Sequence, residues 1–460
     1  MLPAITAPPA SAPRAALRGP AQWLLAGMCV AALIAVQCAV VVYSHTLNPR
    51  SHWLAVGVLC ASACACMLCL CMPRVRASMT GASVLALAFV LHIIALAGLP
   101  VLDDDYFRFL WDGAVLLQGG SPYAAAPADF FLRTDIPVAW QAVLSQINHP
   151  DIRTVYGPTL QAVFAAAVFI SDAHPFGLHL LFAGAELALI AALLRWGIAP
   201  WQVALLGLNP LGLKDIGHAL HPDGLLAALL AAAVMLAIAR RPLASGVALG
   251  LLIAAKLPLA SLLLCFAAVR SGGIKLVVTA LVTTAVLYAP FMASGAVGLE
   301  GLHAFAQDWR VNPLAFTVLQ WLLPGQARTA AALCSILLVC VCAVQVHKGT
   351  WSLPLALLIS LGGALLLAPA NNPWYWLLLL PLGLLASHGR RALLITPWVA
   401  GSAVLLGYMN GHLFSTLDLA WSMPWAHVHP LARALQAGLI AGAIVFDVAR
   451  QRAHRTMAAA

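Results

Sequence analysis

Long apolar runs separated by short polar breaks dominate the chain. Runs at 22–42, 53–72 and 81–99 each come close to the roughly 20 residues that cross a bilayer as a helix. Further runs follow at 177–194, 201–213, 224–239, 274–291, 327–346, 351–369, 374–386, 392–408 and 431–448. The run at 159–170 is too short to cross, so an interfacial or partly inserted helix is expected there. The run at 243–269 carries Lys256 and Pro258 in its middle. That pattern predicts a helical hairpin or broken pair with Lys256 near its tip. The expected fold is an all-α polytopic bundle of about 12–14 transmembrane helices. Interfacial helices are expected in its first large loop.

That loop opens with Asp103, Asp104 and Asp105, directly after an apolar run. Three carboxylates cannot rest in hydrocarbon, so they mark the end of a span. Asp104, Arg108 and Trp111 then recur at helical spacing, and Asp105, Arg108 and Asp112 fall close together. An interfacial helix is predicted, with Asp103 as its N-cap. Gly119-Gly120-Ser121-Pro122 ends it.

Composition narrows the class further. Hydrophobic residues make up 63% of the chain and charged ones 8%, against roughly 25% charged in a soluble domain. The net charge of +9 is spread singly or in pairs at the ends of apolar runs. It therefore reads as positive-inside topology and not as a nucleic-acid surface. The 11 cysteines all lie in apolar runs, and the Cys66/Cys69 pair has neither a second pair nor polar flanks. They read as small packing residues. Residues 1–21 read as a disordered cytoplasmic segment, 22–80 as two N-terminal spans and 81–386 as the main membrane module. Residues 387–460 read as C-terminal spans with a basic tail. This topology sets every acid except Glu186 and Asp447 on one side of a multi-pass inner-membrane protein, facing the periplasm.

Other polar groups fall on the same face: Asn148, His149, Tyr156 and Gln161; then Asn209, Lys214, Asp215, His218, His221 and Asp223. Lys256, Trp309, Arg310, Asn312, Asn372, Trp374 and Tyr375 complete the set. Singly, these are ordinary turn formers and interface anchors. Together they describe a binding surface. Carboxylates with His218 and His221 could hold a divalent metal ion, although that mixture is not a strong ligand signature.

The blocks LDDDYFRFLWDG…GGSPY, INHPDIRTVYGP, NPLGLKDIGHALHPDGLL, ALGLLIAAKLP and NNPWYW occur in this order from about Asp103 to Tyr375. In this the chain resembles bacterial multispan glycosyltransferases of the GT-C class, the mannosyltransferase-like enzymes that use polyprenyl-phosphate sugars. The pattern of that family maps onto Asp104, Asp105, Arg108, Trp111, Asp112, Gly113 and Pro122-Tyr123. Phe109 stands where Tyr is usual and Ser121 where Asn is usual. Tyr156-Gly157-Pro158 replaces Tyr-Pro-Pro, and His221-Pro222-Asp223 replaces His-Asn-Asp. The resemblance implies an outward-facing site, a lipid-linked sugar donor and an inverting transfer; it says little about the acceptor, for which a glycan or glycolipid is the expectation. Substrate contacts are then expected from Arg108, Asp112, Tyr123, His149, Tyr156, Gln161, Asn209, His218, His221, Asp223, Lys256, Asn372, Trp374 and Tyr375.

Elementary chemistry points the same way. A sugar phosphate already has a good leaving group, so it needs a cation on the phosphate, either Lys256 or Arg108. The acceptor hydroxyl needs a base, either Asp104 or Asp105. The main rival is a transporter or flippase, whose mark would be ionisable groups within the spans; Glu186 and His92 fit, and would pair.

Overall fold

The computed structural model describes residues 20–46, 73–101, 103–293, 299–387, 395–416 and 430–459. The expected span at 53–72, its cysteine cluster and most of the N-terminal segment lie outside the described residues. Among the described residues the chain is all-helical. The only β pairing is one isolated bridge between Val311 and Ala370.

Among the described residues four helices are long and apolar enough to cross a membrane: Trp23–Ser44, Phe176–Arg195, Gly273–Ala293 and Ala327–Lys348. Only 11% of the Gly273–Ala293 window is buried, and Val278, Leu281, Val282 and Val286 are exposed along it. Water would not tolerate such a continuous apolar face, whereas lipid would.

Four long helices are fewer than the expected 12–14, and the reason is local. Several apolar runs are broken or short. The run at 201–213 divides into Pro200–Gly207 and Pro210–Asp215, because Asn209 adopts an extended backbone. The Asn209 side chain accepts a 2.8 Å hydrogen bond from Leu211 N, a standard N-cap. The run at 243–269 breaks at Lys256, as expected, into Pro242–Ala255, a 3-10 turn Leu257–Leu262 and the short helix Leu263–Ala267. The run at 374–386 begins as a 3-10 turn, Pro373–Leu378, before Leu379–Ser387. Each break coincides with a proline that cannot donate to the helix ladder.

The helix Asp105–Leu117 lies against Pro158–Ser171, a 14-residue helix too short to cross alone. Phe109 stacks on Phe164 with centroids 4.6 Å apart. Gly113 permits the approach, since a β-carbon there would stand 2.5 Å from the carbonyl oxygen of Phe164. Deeper in the bundle, His92 and Glu186 pair at 2.9 Å, with side-chain exposures of only 2% and 5%. The pair anticipated from the sequence therefore forms, and each group satisfies the other.

Candidate active site

The acid triplet divides between two clusters. Asp104 takes the N-cap position of the helix and Asp105 begins it, so Asp103 is not the cap expected from the sequence. The Asp103 side chain instead turns into the bundle. Its Oδ2 accepts from Lys214 Nζ at 2.6 Å and its Oδ1 from the Tyr408 hydroxyl at 2.5 Å. Lys214 also donates to Asp215 at 2.6 Å. The ammonium is 1% exposed and Asp215 is fully buried. Burial pushes the Asp103 carboxyl up, but the Lys214 charge and the nearby His221 outweigh it and hold the group well below the usual carboxylate range.

His221 stacks on Trp374, with centroids 3.6 Å apart and planes 14° apart. Its Nε2 stands 3.5 Å from Asp103 Oδ2, too far for a hydrogen bond, and has no other partner. Asp103, Asp215 and His221 thus form a group that could hold a metal ion, their ligand atoms lying within 4.8 Å of one another. The fit is poor, because the Lys214 ammonium already occupies the space between both carboxylates. A divalent ion would have to displace it. His218, expected from the sequence as a partner of His221, contributes nothing here. Its Nε2 meets Gln37 Oε1, and its backbone oxygen accepts from Val101 N.

The second cluster is more open. One amide, Asn148 Nδ2, donates to Asp104 at 2.5 Å and to Asp105 at 2.9 Å. The Tyr156 hydroxyl lies 3.5 Å from the other Asp105 oxygen, at the limit of hydrogen bonding. Asp104 is exposed. Partial burial, followed by the adjoining Asp105 charge, raises its carboxyl above the ordinary value despite the Asn148 bond.

Lys256 is linked to this pair through Tyr156, whose hydroxyl faces Asp105 and whose neighbour Gly157 donates to the Ala255 carbonyl. It occupies the helix break in an extended conformation and donates to Asp223 at 3.0 Å. Its ammonium lies 3.7 Å from the centroid of the Tyr375 ring, and its side chain is 31% exposed. Asn372 bonds the Tyr375 hydroxyl at 3.2 Å. Tyr156 sits in the combined field of Asp105, Asp223 and Arg108, which joins the two groups electrostatically.

The remaining expected contacts are structural in this geometry. Arg108 is 8% exposed and donates through one terminal nitrogen to the carbonyls of His149 and Ile152 at 3.0 and 2.8 Å. Asp112, Gln161 and Thr154 form a closed buried network, with Gln161 Nε2 at 3.1 Å from Asp112 and 2.9 Å from Thr154. The Tyr123 hydroxyl donates to the Tyr156 carbonyl at 2.8 Å. His149 packs edge-on against Trp309. Asn209 is the helix cap already described. Sequence reasoning missed the pairing of Asp103, Lys214 and Tyr408, since no local spacing signals it.

Comparison with protein-family models, curated proteins and solved structures finds no match to this chain.

Proposed function

We propose that the protein is a membrane glycosyltransferase of the GT-C type, moving a hexose from a polyprenyl-phosphate donor to a cell-envelope acceptor on the periplasmic side. In this reading the shorter apolar helices also cross or dip into the inner membrane, giving about 12–14 segments. The carrying observation is a paired, partly open carboxylate site whose neighbour Tyr156 adjoins the main-chain link to the broken apolar helix that ends at Lys256. Asp104 takes the proton of the acceptor hydroxyl. Its exposure gives access, and its raised proton affinity suits a base. Asp105 and Asn148 hold it in place.

Lys256 holds the leaving phosphate. It keeps one bond to Asp223 and has donors left over, and its position at the end of an apolar helix lets the polyprenyl chain stay in lipid. Tyr375 stays beside the ammonium, its ring centroid 3.7 Å from Lys256 Nζ. Arg108 takes no part on the phosphate.

The test is to supply membranes with a radiolabelled polyprenyl-phosphate hexose and follow label into an acceptor. Movement of labelled lipid across the bilayer without transfer would favour a transporter instead, a reading that the buried His92–Glu186 pair supports.

Two further outcomes are expected. Lys256→Met should weaken donor binding about tenfold or more, the loss of one charge-assisted bond, in a protein that remains inserted. Lys256→Arg should restore part of the affinity. Donor binding by Lys256→Met equal to wild type would remove the lysine from the phosphate. For orientation, Ser145 is an exposed position in the same loop as the acid pair. A cysteine there should react with a membrane-impermeant thiol reagent from the periplasm, and labelling only from the cytoplasm would invert the topology.

A further inference from the structure

Among the arginines of the described residues, two carry a buried side-chain nitrogen without a hydrogen-bond partner. Lys214, Lys256, Arg153 and Arg133 all pair with acids. Arg108 and Arg328 direct their guanidinium donors to backbone carbonyls. Arg310 and Arg433 do neither. Among the described residues no acid pairs with either, and the Nε of each is buried without a hydrogen-bond partner.

The chain brings these two groups together. Arg310 lies in the loop between the helices Glu300–Asp308 and Ala315–Leu322, and Arg433 lies near the start of Pro430–Ala459. Gln436, one turn beyond Arg433, is 1% exposed and donates to Asn312 Oδ1 at 3.3 Å. That bond fastens the turn bearing Arg433 to the loop bearing Arg310. Asn312 in turn donates to the Val404 carbonyl at 3.2 Å. The helix Ile395–Thr416 therefore backs this pair and also carries Tyr408, which holds Asp103.

Two arginines on segments fastened to each other, each with one buried Nε–H left without a partner, are unfavourable until an anion accepts from them. We infer that Arg310 and Arg433 form a binding site for a phosphate group. A planar guanidinium fork matches pairs of phosphate oxygens, and two forks match a group with several oxygens and up to two negative charges better than a single carboxylate. Leu435, Leu439, Val445 and Phe446 on the same helix are exposed apolar residues, so a lipid headgroup is within reach as the source, as is free phosphate. The site does not depend on the transfer reading, since Lys256 and its neighbours take no part in it.

The full-length protein purified in a non-ionic detergent provides the test. Inorganic phosphate and a short-chain phosphatidic acid are titrated separately, with the matching diacylglycerol as the phosphate-free control, and affinity and melting temperature are followed. Wild type should bind and melt higher with at least one of the phosphate probes and not with diacylglycerol. A response to inorganic phosphate alone identifies a water-soluble source; a response only to phosphatidic acid identifies the headgroup. Arg310→Met and Arg433→Met should each weaken binding about tenfold or more. Without ligand they should melt at or above wild type, because the unpartnered buried N–H is gone. Arg433→Lys should keep the charge and part of the affinity. No response from wild type to either phosphate probe would overturn the site. So would variants that bind as wild type does, or ligand-free Met variants that melt below wild type.

Discussion

Asp104→Asn is expected to lower hexose transfer by about 10²- to 10⁴-fold, the usual contribution of a positioned base. An amide keeps the shape and the bond toward Asn148 but cannot take a proton. The variant should fold normally, since the side chain is exposed and surface substitutions cost little. Donor affinity should be preserved, because Lys256 lies on a different element. The wild-type rate should fall as pH drops through the Asp104 value, and that value is raised, so the acid limb should lie above about 3.9, the ordinary aspartate figure. Asp105→Asn should reduce the rate as well, by loosening the Asn148 and Tyr156 contacts. Initial rates in purified membranes with a fixed donor measure all of this. Turnover near wild type in Asp104→Asn would move the base elsewhere.

The largest effect on stability is expected from Lys214→Met. The ammonium is buried between Asp103 and Asp215 at 2.6 Å from each. Its removal leaves two carboxylates close together in a medium that does not solvate them, at a cost of about 3–5 kcal/mol. Changing all three residues together, Lys214→Met with Asp103→Asn and Asp215→Asn, should recover much of the loss, because no uncompensated charge remains. Melting in detergent separates the single from the triple variant, and a single variant as stable as wild type would contradict the buried triad. The linkage has a definite sign. The Asp103 value is depressed in the fold, so its stabilisation is present above the unfolded value near ~3.9 and disappears only as pH falls through the lower folded value. A divalent ion should bind Lys214→Met more readily than wild type, since the competing ammonium is absent.

The breaks in the bundle were legible in the sequence. Asn209-Pro210 and Lys256 with Pro258 interrupt apolar runs, and the backbone breaks at both. The importance of the first acidic loop was legible too, because charge at the end of an apolar run has few explanations. The division of labour among Asp103, Asp104 and Asp105 was not. Asp103 is bound by Tyr408, 305 positions away, and pairing over such a distance leaves no mark on local periodicity. The partners of Arg108 were equally hidden, because the carbonyls of His149 and Ile152 that it meets lie in an irregular loop more than 40 positions along the chain. The number of full-length crossings was overstated because an apolar run shows where lipid or core is allowed, while prolines decide where the helix stops.

Gly157 occupies a place where a proline is usual in the family that the chain resembles, and it donates its N–H to the Ala255 carbonyl at 3.0 Å. That carbonyl belongs to the last turn of the broken helix, where no later residue of the helix can supply a donor. A proline would lose the bond, and any β-carbon would strike the carbonyl oxygen of Ala254. The loop bearing Asn148 and the strut bearing Lys256 are thereby joined main chain to main chain. The spacing between the two elements is thus a backbone dimension, and side-chain substitutions on either of them leave that frame unaltered.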